Sequence, residues 1–217
     1  MYAFTHDEIY STFAPEVYCS ELVRIGNVAD GGKWVCNPFN IPQENCFILS
    51  LGINNEISFE EEIQEISGKR CSLYAFDMND QDEDIRERLK KANAIFQIAK
   101  ISNFTNENFR TYTVHHLLKL YNLSALEILK IDIEGYEFQV IPSLILNGNI
   151  CQILIEIHGT TSMGIELLGL FSRNGYNLFS YEVNPGFYLL AEFSLIHDSC
   201  LEKYDVKPLA KYLSILH

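Results

Sequence analysis

The chain has 217 residues, 47% of them apolar, and its 29 acidic residues outnumber 16 basic ones to leave a formal charge of −13. Such a chain buries a full core, which excludes a disordered protein and a small disulfide-dependent scaffold, and we expect one domain over residues 1–217. No apolar run approaches the roughly 18 to 20 residues of a membrane helix, and residues 1–10 do not resemble a signal peptide, so no membrane contact is expected. The acid excess opposes a phosphate backbone and excludes nucleic acid as a partner.

The six cysteines form no CxxC pair and have no histidine at metal-ligand spacing, so no metal site is expected. Cys46, Cys71 and Cys151 each open an apolar run, which favours buried, reduced cysteines at strand starts. As given, the chain is expected in the cytoplasm. The alternative is an oxidising secretory lumen or the extracellular space, if an amino-terminal signal is missing. The triplets Asn103-Phe104-Thr105 and Asn122-Leu123-Ser124 would permit glycosylation there.

The predicted elements begin after residue 45. Residues 1–45 hold three prolines and the pair Gly31-Gly32 with little periodicity, and we expect an irregular segment that lies against a sheet at its cofactor edge. Residues 46–217 alternate short apolar runs with helical stretches. The predicted strands are Phe47–Leu51, Leu73–Phe76, Ile95–Ile98, Ile128–Ile133, Ile153–Ile157, Leu178–Tyr181 and Leu189–Ile196.

The spacing of these runs predicts an α/β fold. The first six runs are about 20 or more residues apart, enough for crossover helices, and indicate a parallel sheet with helices on both faces. The last gap is too short for a crossover, so the seventh strand is expected to return antiparallel to the sixth. Helical periodicity is present in Ser58–Ile66, Asp80–Lys91, Val114–Tyr121 and Met163–Phe171.

Ligands of open parallel sheets bind beyond the carboxyl ends of the strands, and the first two strands here end in polar residues. Gly52 allows close backbone approach, but Asn54 and Glu56 occupy the places of the further glycines of a diphosphate cradle. The turn therefore favours a cationic or zwitterionic ligand over NAD, FAD or a nucleoside triphosphate. Asp77 ends the second strand, where an acid can accept both ribose hydroxyls. The alternative is that these acids only cap the following helices.

Acids also follow the fourth and fifth strands. Asp132 and Glu134 alternate along the fourth run and would share a face if the strand continued that far. Two carboxylates there could bind an ammonium group, a divalent cation or a proton in transit. His158 follows the fifth run, after Glu156, and is a candidate general base because an ordinary histidine titrates near neutrality. Helix capping and a backbone-satisfied loop histidine are the alternatives.

Together these residues resemble a known group. The first-turn Gly52, the acidic Asp77 and the segment LKIDIEGYE are similar to class I S-adenosylmethionine-dependent methyltransferases, specifically the FkbM-like branch with its KIDxEGxE signature. The order of the segments DGGKW, LSLGINNEISFE, CSLYAFD, LKIDIEGYE and IEIHG resembles the animal methyltransferase-like subgroup, most closely its nematode FkbM-domain proteins.

The resemblance implies a Rossmann-like sheet of seven strands in the order 3-2-1-4-5-7-6 that binds S-adenosylmethionine. It implies that Gly52, Asn54 and Glu56 face the methionine part and Asp77 the ribose. Asp132 is expected at the sulfonium or amino group, and Asp30, Gly31 and Gly32 are expected to close over the cofactor. Ser50 departs from the pattern, because class I enzymes commonly carry an acid there.

The function implied is methylation, with an oxygen of a small molecule or glycan as the acceptor and with His158, Glu134 and Asp132 as candidate catalytic residues. Two other functions stay open at this point. A catalytically silent binding protein would keep the fold while Asn54 and Glu56 no longer hold cofactor. A nicotinamide-dependent oxidoreductase would need a glycine-rich first turn and a continuous parallel sixth strand, and both of these are missing from the sequence.

Overall fold

The computed structural model describes residues 13–28, 30–42, 44–147, 149–184 and 191–215. A seven-stranded mixed sheet runs through its centre. Numbered along the whole chain, the strands of this sheet are β4 (Phe47–Leu51), β5 (Ser72–Asp77), β6 (Ala94–Ile98), β9 (Leu126–Ile131), β10 (Ile150–Ile157), β11 (Tyr176–Val183) and β12 (Ala191–His197). They stand in the order β6-β5-β4-β9-β10-β12-β11.

All of these strands are parallel except β12, which pairs antiparallel with both β10 and β11. The predicted Rossmann-like fold, with seven strands and an antiparallel last strand, is confirmed. The strand numbers in this order differ in detail from the predicted 3-2-1-4-5-7-6, because the short strands outside the central sheet are numbered as well. Of the predicted seventh strand, Leu189 and Leu190 lie outside the described residues.

Six short strands form three two-stranded sheets, which pair β1 with β13, β2 with β3 and β7 with β8. These strands are β1 (Val17–Cys19), β2 (Leu22–Ile25), β3 (Lys33–Cys36), β7 (Lys100–Ile101), β8 (Thr111–Tyr112) and β13 (Val206–Pro208). The amino-terminal segment was expected to be irregular. Part of it is regular, because it contains β1, β2 and β3. Its hairpin β2-β3 is fastened to β11, where Glu182 accepts hydrogen bonds from Arg24 at 2.6 Å and from the Trp34 indole at 2.6 Å.

Helices cover both faces of the sheet, as predicted. They are α1 (Ser58–Ile66), α2 (Glu83–Lys91), α3 (Val114–Leu120), α4 (Glu137–Leu144) and α5 (Thr161–Arg173). Shorter 3-10 turns lie at Pro38–Asn40, Glu107–Phe109, Ile145–Asn147, Asp198–Cys200 and Leu213–Ile215. In α2 the acids stand in the first turn and the bases in the last, which complements the helix dipole. No helix within the described ranges has the length and apolarity that a bilayer-spanning helix needs.

Two apolar cores lie on opposite faces of the sheet, because successive residues of a strand point to opposite sides. In β4, Ile48 packs into one core and Leu49 into the other, and both are fully buried. The near-continuous apolar runs seen in the sequence follow from this double coverage.

All six cysteines are paired, so the expectation of reduced cysteines is wrong. The disulfides are Cys19–Cys36, Cys46–Cys71 and Cys151–Cys200. Cys46 and Cys71 precede β4 and β5, and the parallel pairing of these strands brings the two thiols to one edge of the sheet. The predicted burial is confirmed for Cys46 and Cys71, whereas Cys151 is half-buried. Their oxidation depends on which sulfur atoms meet in space.

Candidate active site

A cavity of about 700 Å³ opens at the carboxyl edge of the sheet. Its lining includes most of the predicted site residues, namely Asp30, Gly31, Gly52, Asn54, Glu56, Asp77, Asp132, Glu134 and His158, and it also includes Glu156. Gly32 is not in the lining. A Cβ at Gly32 would overlap the side chain of Arg24 and the carbonyl oxygen of Asn27.

Gly52 occupies a position that only glycine fits. Its φ is +79°, and an added Cβ would overlap the carbonyl oxygen of Asp132 on the neighbouring strand connection. The close approach arises because pairing continues past the strand ends, where the Asp132 amide donates to Leu51 at 2.9 Å and the Gly52 amide donates to Phe76 at 2.8 Å. Asn54 continues the turn with a φ of +40°, a conformation that asparagine tolerates better than most residues. A glycine is therefore required here by the close approach of the Asp132 backbone.

Asp77 is buried and organises this turn. Its Oδ2 accepts hydrogen bonds from the amides of Ile53 at 3.0 Å and Asn54 at 2.9 Å, and its Oδ1 accepts from the amide of Asn79 at 2.8 Å. A carboxylate has about four acceptor positions, so roughly one remains, on Oδ1. With this turn in place, Asp77 can accept a hydrogen bond from one ribose hydroxyl. The sequence predicted that it would accept from both.

Glu56 also lines the cavity but has structural partners. Its Oε1 accepts from the Ser58 amide at 2.7 Å at the start of α1, and its Oε2 accepts from the Asn27 side chain at 2.7 Å. It thereby joins α1 to the hairpin loop that carries Asp30 and Gly31. A Cβ on Gly31 would come within 2.6 Å of Glu56, so this glycine allows the loop to approach.

Asp132 and Glu134 do not share a strand face, which corrects the expectation from their alternation. β9 ends at Ile131, and Glu134 has a φ of +54° in the turn before α4. The two carboxylates nevertheless converge on His158. Its Nε2 lies 3.7 Å from an Asp132 oxygen and 3.6 Å from a Glu134 oxygen.

The other ring nitrogen of His158 is held by Glu137 in the first turn of α4. Nδ1 lies 3.1 Å from Glu137 Oε1, which also accepts from the Ile133 amide at 3.1 Å. Glu137 is fully buried, whereas the Glu134 side chain is 73% exposed. Glu137 therefore fixes the ring orientation and turns Nε2 towards the cavity.

The surroundings of His158 determine its charge. Burial lowers the pKa of His158, but the hydrogen bond to Glu137 and the negative charges of Glu137, Asp132 and Glu156 outweigh it and raise this pKa to about 9. At neutral pH the side chain is an imidazolium and has no free lone pair. His158 can therefore act as the predicted general base only after another positive charge binds beside Glu137, Asp132 and Glu156 and lowers its pKa.

A buried ion-pair cluster lies beneath Asp132. Glu156 accepts from Asn184 at 2.9 Å and lies 4.0 Å from Lys33 of β3, whose ammonium donates to Glu192 at 2.6 Å. Burial and the charge of Asp132 raise the pKa of Glu156 to about 7, although Lys33 and Asn184 oppose them. An acid with this pKa is partly protonated at neutrality and would ionise more fully beside a cation.

A second buried pair lies beneath Gly52. Lys130 of β9 donates to Glu60 of α1 at 3.0 Å, and the same carboxylate hydrogen-bonds to the Ser50 hydroxyl. Both side chains are almost completely buried. A carboxylate from the helix thus stands beside Ser50.

The acids of the cavity are spaced to hold a cation. Asp132 belongs to two groups of three ligand-type side chains whose atoms lie within 4.8 Å of one another, one with Glu134 and His158 and one with Asp30 and Glu156. Such spacing suits an organic cation or a metal ion. The expectation that the protein needs no metal stays a prediction.

Some functional residues were missed from the sequence. Lys130 had a signal, because a lysine inside a buried apolar strand marks a paired charge. Glu137 stands at the end of the LKIDIEGYE segment, but its contact with His158 joins residues 21 positions apart. Lys33 and Asn184 had no comparable signal, since each meets Glu156 only through the tertiary fold.

The profile of the methyltransferase domain family matches residues 5–197, which is most of the chain. The chain belongs to this family. It is a methyltransferase. No curated protein matches the sequence.

Solved structures match the chain at low identity. Aeropyrum pernix fibrillarin with natively bound S-adenosyl-L-methionine is 12% identical, with 82% of this chain and 84% of that chain covered and a TM-score of 0.44. The Methanococcus jannaschii fibrillarin pre-rRNA processing protein is 14% identical, with 73% and 69% covered and a TM-score of 0.45. A Streptococcus agalactiae protein in the NADB-Rossmann superfamily is 8% identical; 74% of this chain matches 65% of its length at a TM-score of 0.42.

The exclusion of nucleic acid as a partner is wrong. Solved structures that match this chain include a pre-rRNA processing protein, a ribosomal RNA methyltransferase and a tRNA methyltransferase. The net charge of a whole chain does not decide this point, because binding to a phosphate backbone depends on local basic surface.

Proposed function

We propose that the enzyme methylates a hydroxyl oxygen of a small molecule or glycan, with the cofactor in the cavity at the carboxyl edge. The observation that carries this proposal is the convergence of Asp132, Glu134 and Glu137 on His158 beside the cavity of about 700 Å³. That volume lies in the range of pockets that enclose ligands of cofactor size.

The residues suit S-adenosylmethionine, which supplies an activated methyl group on a sulfonium. Gly52 and Asn54 would contact the methionine part, since both residues line the cavity. Asp77 would accept one ribose hydroxyl on Oδ1. Asp132 would face the sulfonium or amino group, since a carboxylate in a partly buried site attracts a cation strongly.

His158 is the proposed base for the acceptor hydroxyl. The hydroxyl must lose its proton as its oxygen accepts the methyl group, and Nε2 is the ring nitrogen directed at the cavity. When Asp132 and Glu156 face a bound cation, their attraction for the proton on His158 is partly neutralised and its pKa falls towards neutrality. His158 would thus become basic once cofactor is bound. Glu134, with its exposed carboxylate, is the alternative base.

Two observations support this class of acceptor. The LKIDIEGYE segment matches the FkbM signature, and we propose membership of that branch, in which oxygen methylation is the expected activity. The three disulfides suit an oxidising compartment, where glycans and small metabolites with free hydroxyls are available.

Calorimetry and a labelling assay test the proposal in two stages. We expect S-adenosylmethionine and S-adenosylhomocysteine to bind, and an Asp132→Asn variant to lose affinity mainly for the positively charged S-adenosylmethionine. Absence of binding to both would overturn the placement of the cofactor. Methyl-labelled cofactor would then be offered with glycans, hydroxylated small molecules and RNA. Label in the glycan or small-molecule fraction supports the acceptor class, whereas label only in RNA overturns it and leaves methyl transfer intact.

A further inference from the structure

The disulfides indicate the compartment in which the chain folds. All six cysteines are paired, and the bonds join positions 17, 25 and 49 residues apart. Five of the six cysteines are buried, with Cys36 fully so. Buried disulfides that join distant segments are typical of proteins that fold in an oxidising lumen, because cytosolic glutathione and thioredoxin keep thiols reduced.

The asparagine and the hydroxyl residue of both glycosylation triplets lie on the surface of this disulfide-bonded fold. Asn103 and Thr105 are exposed in the connection between β7 and β8, and Phe104 between them is 58% exposed. Asn122 and Ser124 are exposed after the end of α3. A buried asparagine could not carry a glycan, so the structure leaves both triplets usable where sequence alone could not decide.

The two sites lie in different places relative to the cavity. Asn103 stands two residues after Ile101, which lines the cavity, so a glycan there would lie near the cavity. Asn122 follows α3 and precedes β9, which places it towards the amino edge of the sheet. Neither asparagine belongs to the cavity lining.

We propose that the chain folds in an oxidising, glycan-adding compartment and that Asn103 and Asn122 carry N-linked glycans. In this reaction the side-chain nitrogen of asparagine bonds to the anomeric carbon of a lipid-diphosphate-linked oligosaccharide. The bond from that carbon to the diphosphate oxygen breaks, the lipid diphosphate leaves with the electron pair, and one amide proton is lost. The hydroxyl of Thr105 or Ser124 marks each asparagine for the transferase.

Secretion of the full chain behind a cleavable leader tests the proposal. We expect peptide N-glycosidase to change the mobility of the secreted protein by two steps, and a thiol-reactive label to find no free cysteine before reduction. Thr105→Ala and Ser124→Ala should each remove one step while leaving the asparagine in place. Thr105→Ser and Ser124→Thr are the matched controls and should keep both steps, because serine and threonine both serve in the triplet.

Each outcome supports or overturns a part of the proposal. A secreted, disulfide-bonded protein whose mobility the glycosidase does not change overturns both sites, and an alanine variant that removes no step overturns its own site. Free thiols on the secreted protein overturn the assignment of the compartment. These readouts need no methyl transfer, so they are independent of the proposed reaction.

Discussion

The two sides of the cavity hold their carboxylates in different ways. On the side of β4 and β5, Asp77 and Glu56 accept hydrogen bonds from main-chain amides. On the side of β9 and β10, Asp132 and Glu134 meet the imidazolium of His158 across 3.7 and 3.6 Å. The first side is a scaffold whose charges are satisfied locally. The second side is a cluster of excess negative charge that a bound cation can reorganise.

Gly52→Ala tests the scaffold side and has the largest expected effect. The added Cβ would overlap the carbonyl oxygen of Asp132, and alanine is strained at a φ of +79°. We expect a loss of about 3 kcal/mol or more in the free energy of unfolding and no cofactor binding. Urea unfolding and calorimetry measure the two effects.

Gly164→Ala is the matched control, because its Cβ, in the first turn of α5, would meet only Ile157 at 3.9 Å. It should leave stability unchanged or raise it by up to about 1 kcal/mol. If Gly52→Ala were as stable as this control, the turn would not depend on close approach.

The carboxylate cluster around His158 predicts that the free energy of unfolding depends on pH. The raised pKa of His158 means that the folded protein keeps a proton which the unfolded chain releases. This stabilisation is complete below about pH 6.5 and is lost as the pH rises to about 9. It amounts to at most about 3 kcal/mol. The raised pKa of Glu156 acts in the same direction between about pH 4.5 and 7.

The free energy of unfolding, measured at pH 6, 7.5 and 9, should therefore fall with rising pH in the wild type. In His158→Gln the fall above pH 7 should be smaller. His115→Gln, which changes an exposed histidine of α3, is the control and should retain the wild-type fall. An equal fall in His158→Gln and the wild type would show that the imidazolium is not held by its neighbours.

Asp77→Asn probes the scaffold side more gently. An amide side chain has one acceptor oxygen, so it cannot satisfy the amides of Ile53, Asn54 and Asn79 together. We expect a loss of about 1 to 3 kcal/mol in unfolding free energy and weaker cofactor binding in calorimetry. Asp80→Asn, which changes a solvent-exposed acid nearby, should have little effect on either measurement. Comparable losses in both variants would argue against a specific role for Asp77.

Glu134→Gln has the smallest expected effect on stability, below about 0.5 kcal/mol, because the side chain is 73% exposed. It also distinguishes the two candidate bases. If His158 is the base, kcat should fall less than about tenfold in steady-state assays with the identified acceptor. A fall of 100-fold or more, the usual contribution of a general base, would transfer that role to Glu134.

Much of the fold could be predicted because its signals are local. Phe47–Leu51 and Ser58–Ile66 have the predicted bounds, since an apolar run between polar residues and a helical repeat each depend on neighbours in sequence. The hairpin β2-β3 was missed because its strands have four residues each and depend on contacts such as Arg24 with Glu182, 158 positions apart.

The candidate site was predicted in part for the same reason. The carboxyl-edge rule placed Gly52, Asp77, Asp132 and His158 together correctly, since it follows from parallel strand pairing alone. The shared face of Asp132 and Glu134 was not observed, because β9 ends at Ile131. Gly32 was assigned by its neighbours in sequence but does not line the cavity.

The sequence by itself determined the class of fold and an acidic carboxyl edge, because hydrophobic periodicity and strand spacing are properties of the chain order. Only the tertiary structure decided which cysteines pair, since six cysteines allow fifteen pairings. It also decided that His158 carries a proton, because this depends on carboxylates brought within a few ångströms by separate segments. Part of the −13 charge therefore belongs to carboxylates that surround His158, which composition alone could not show.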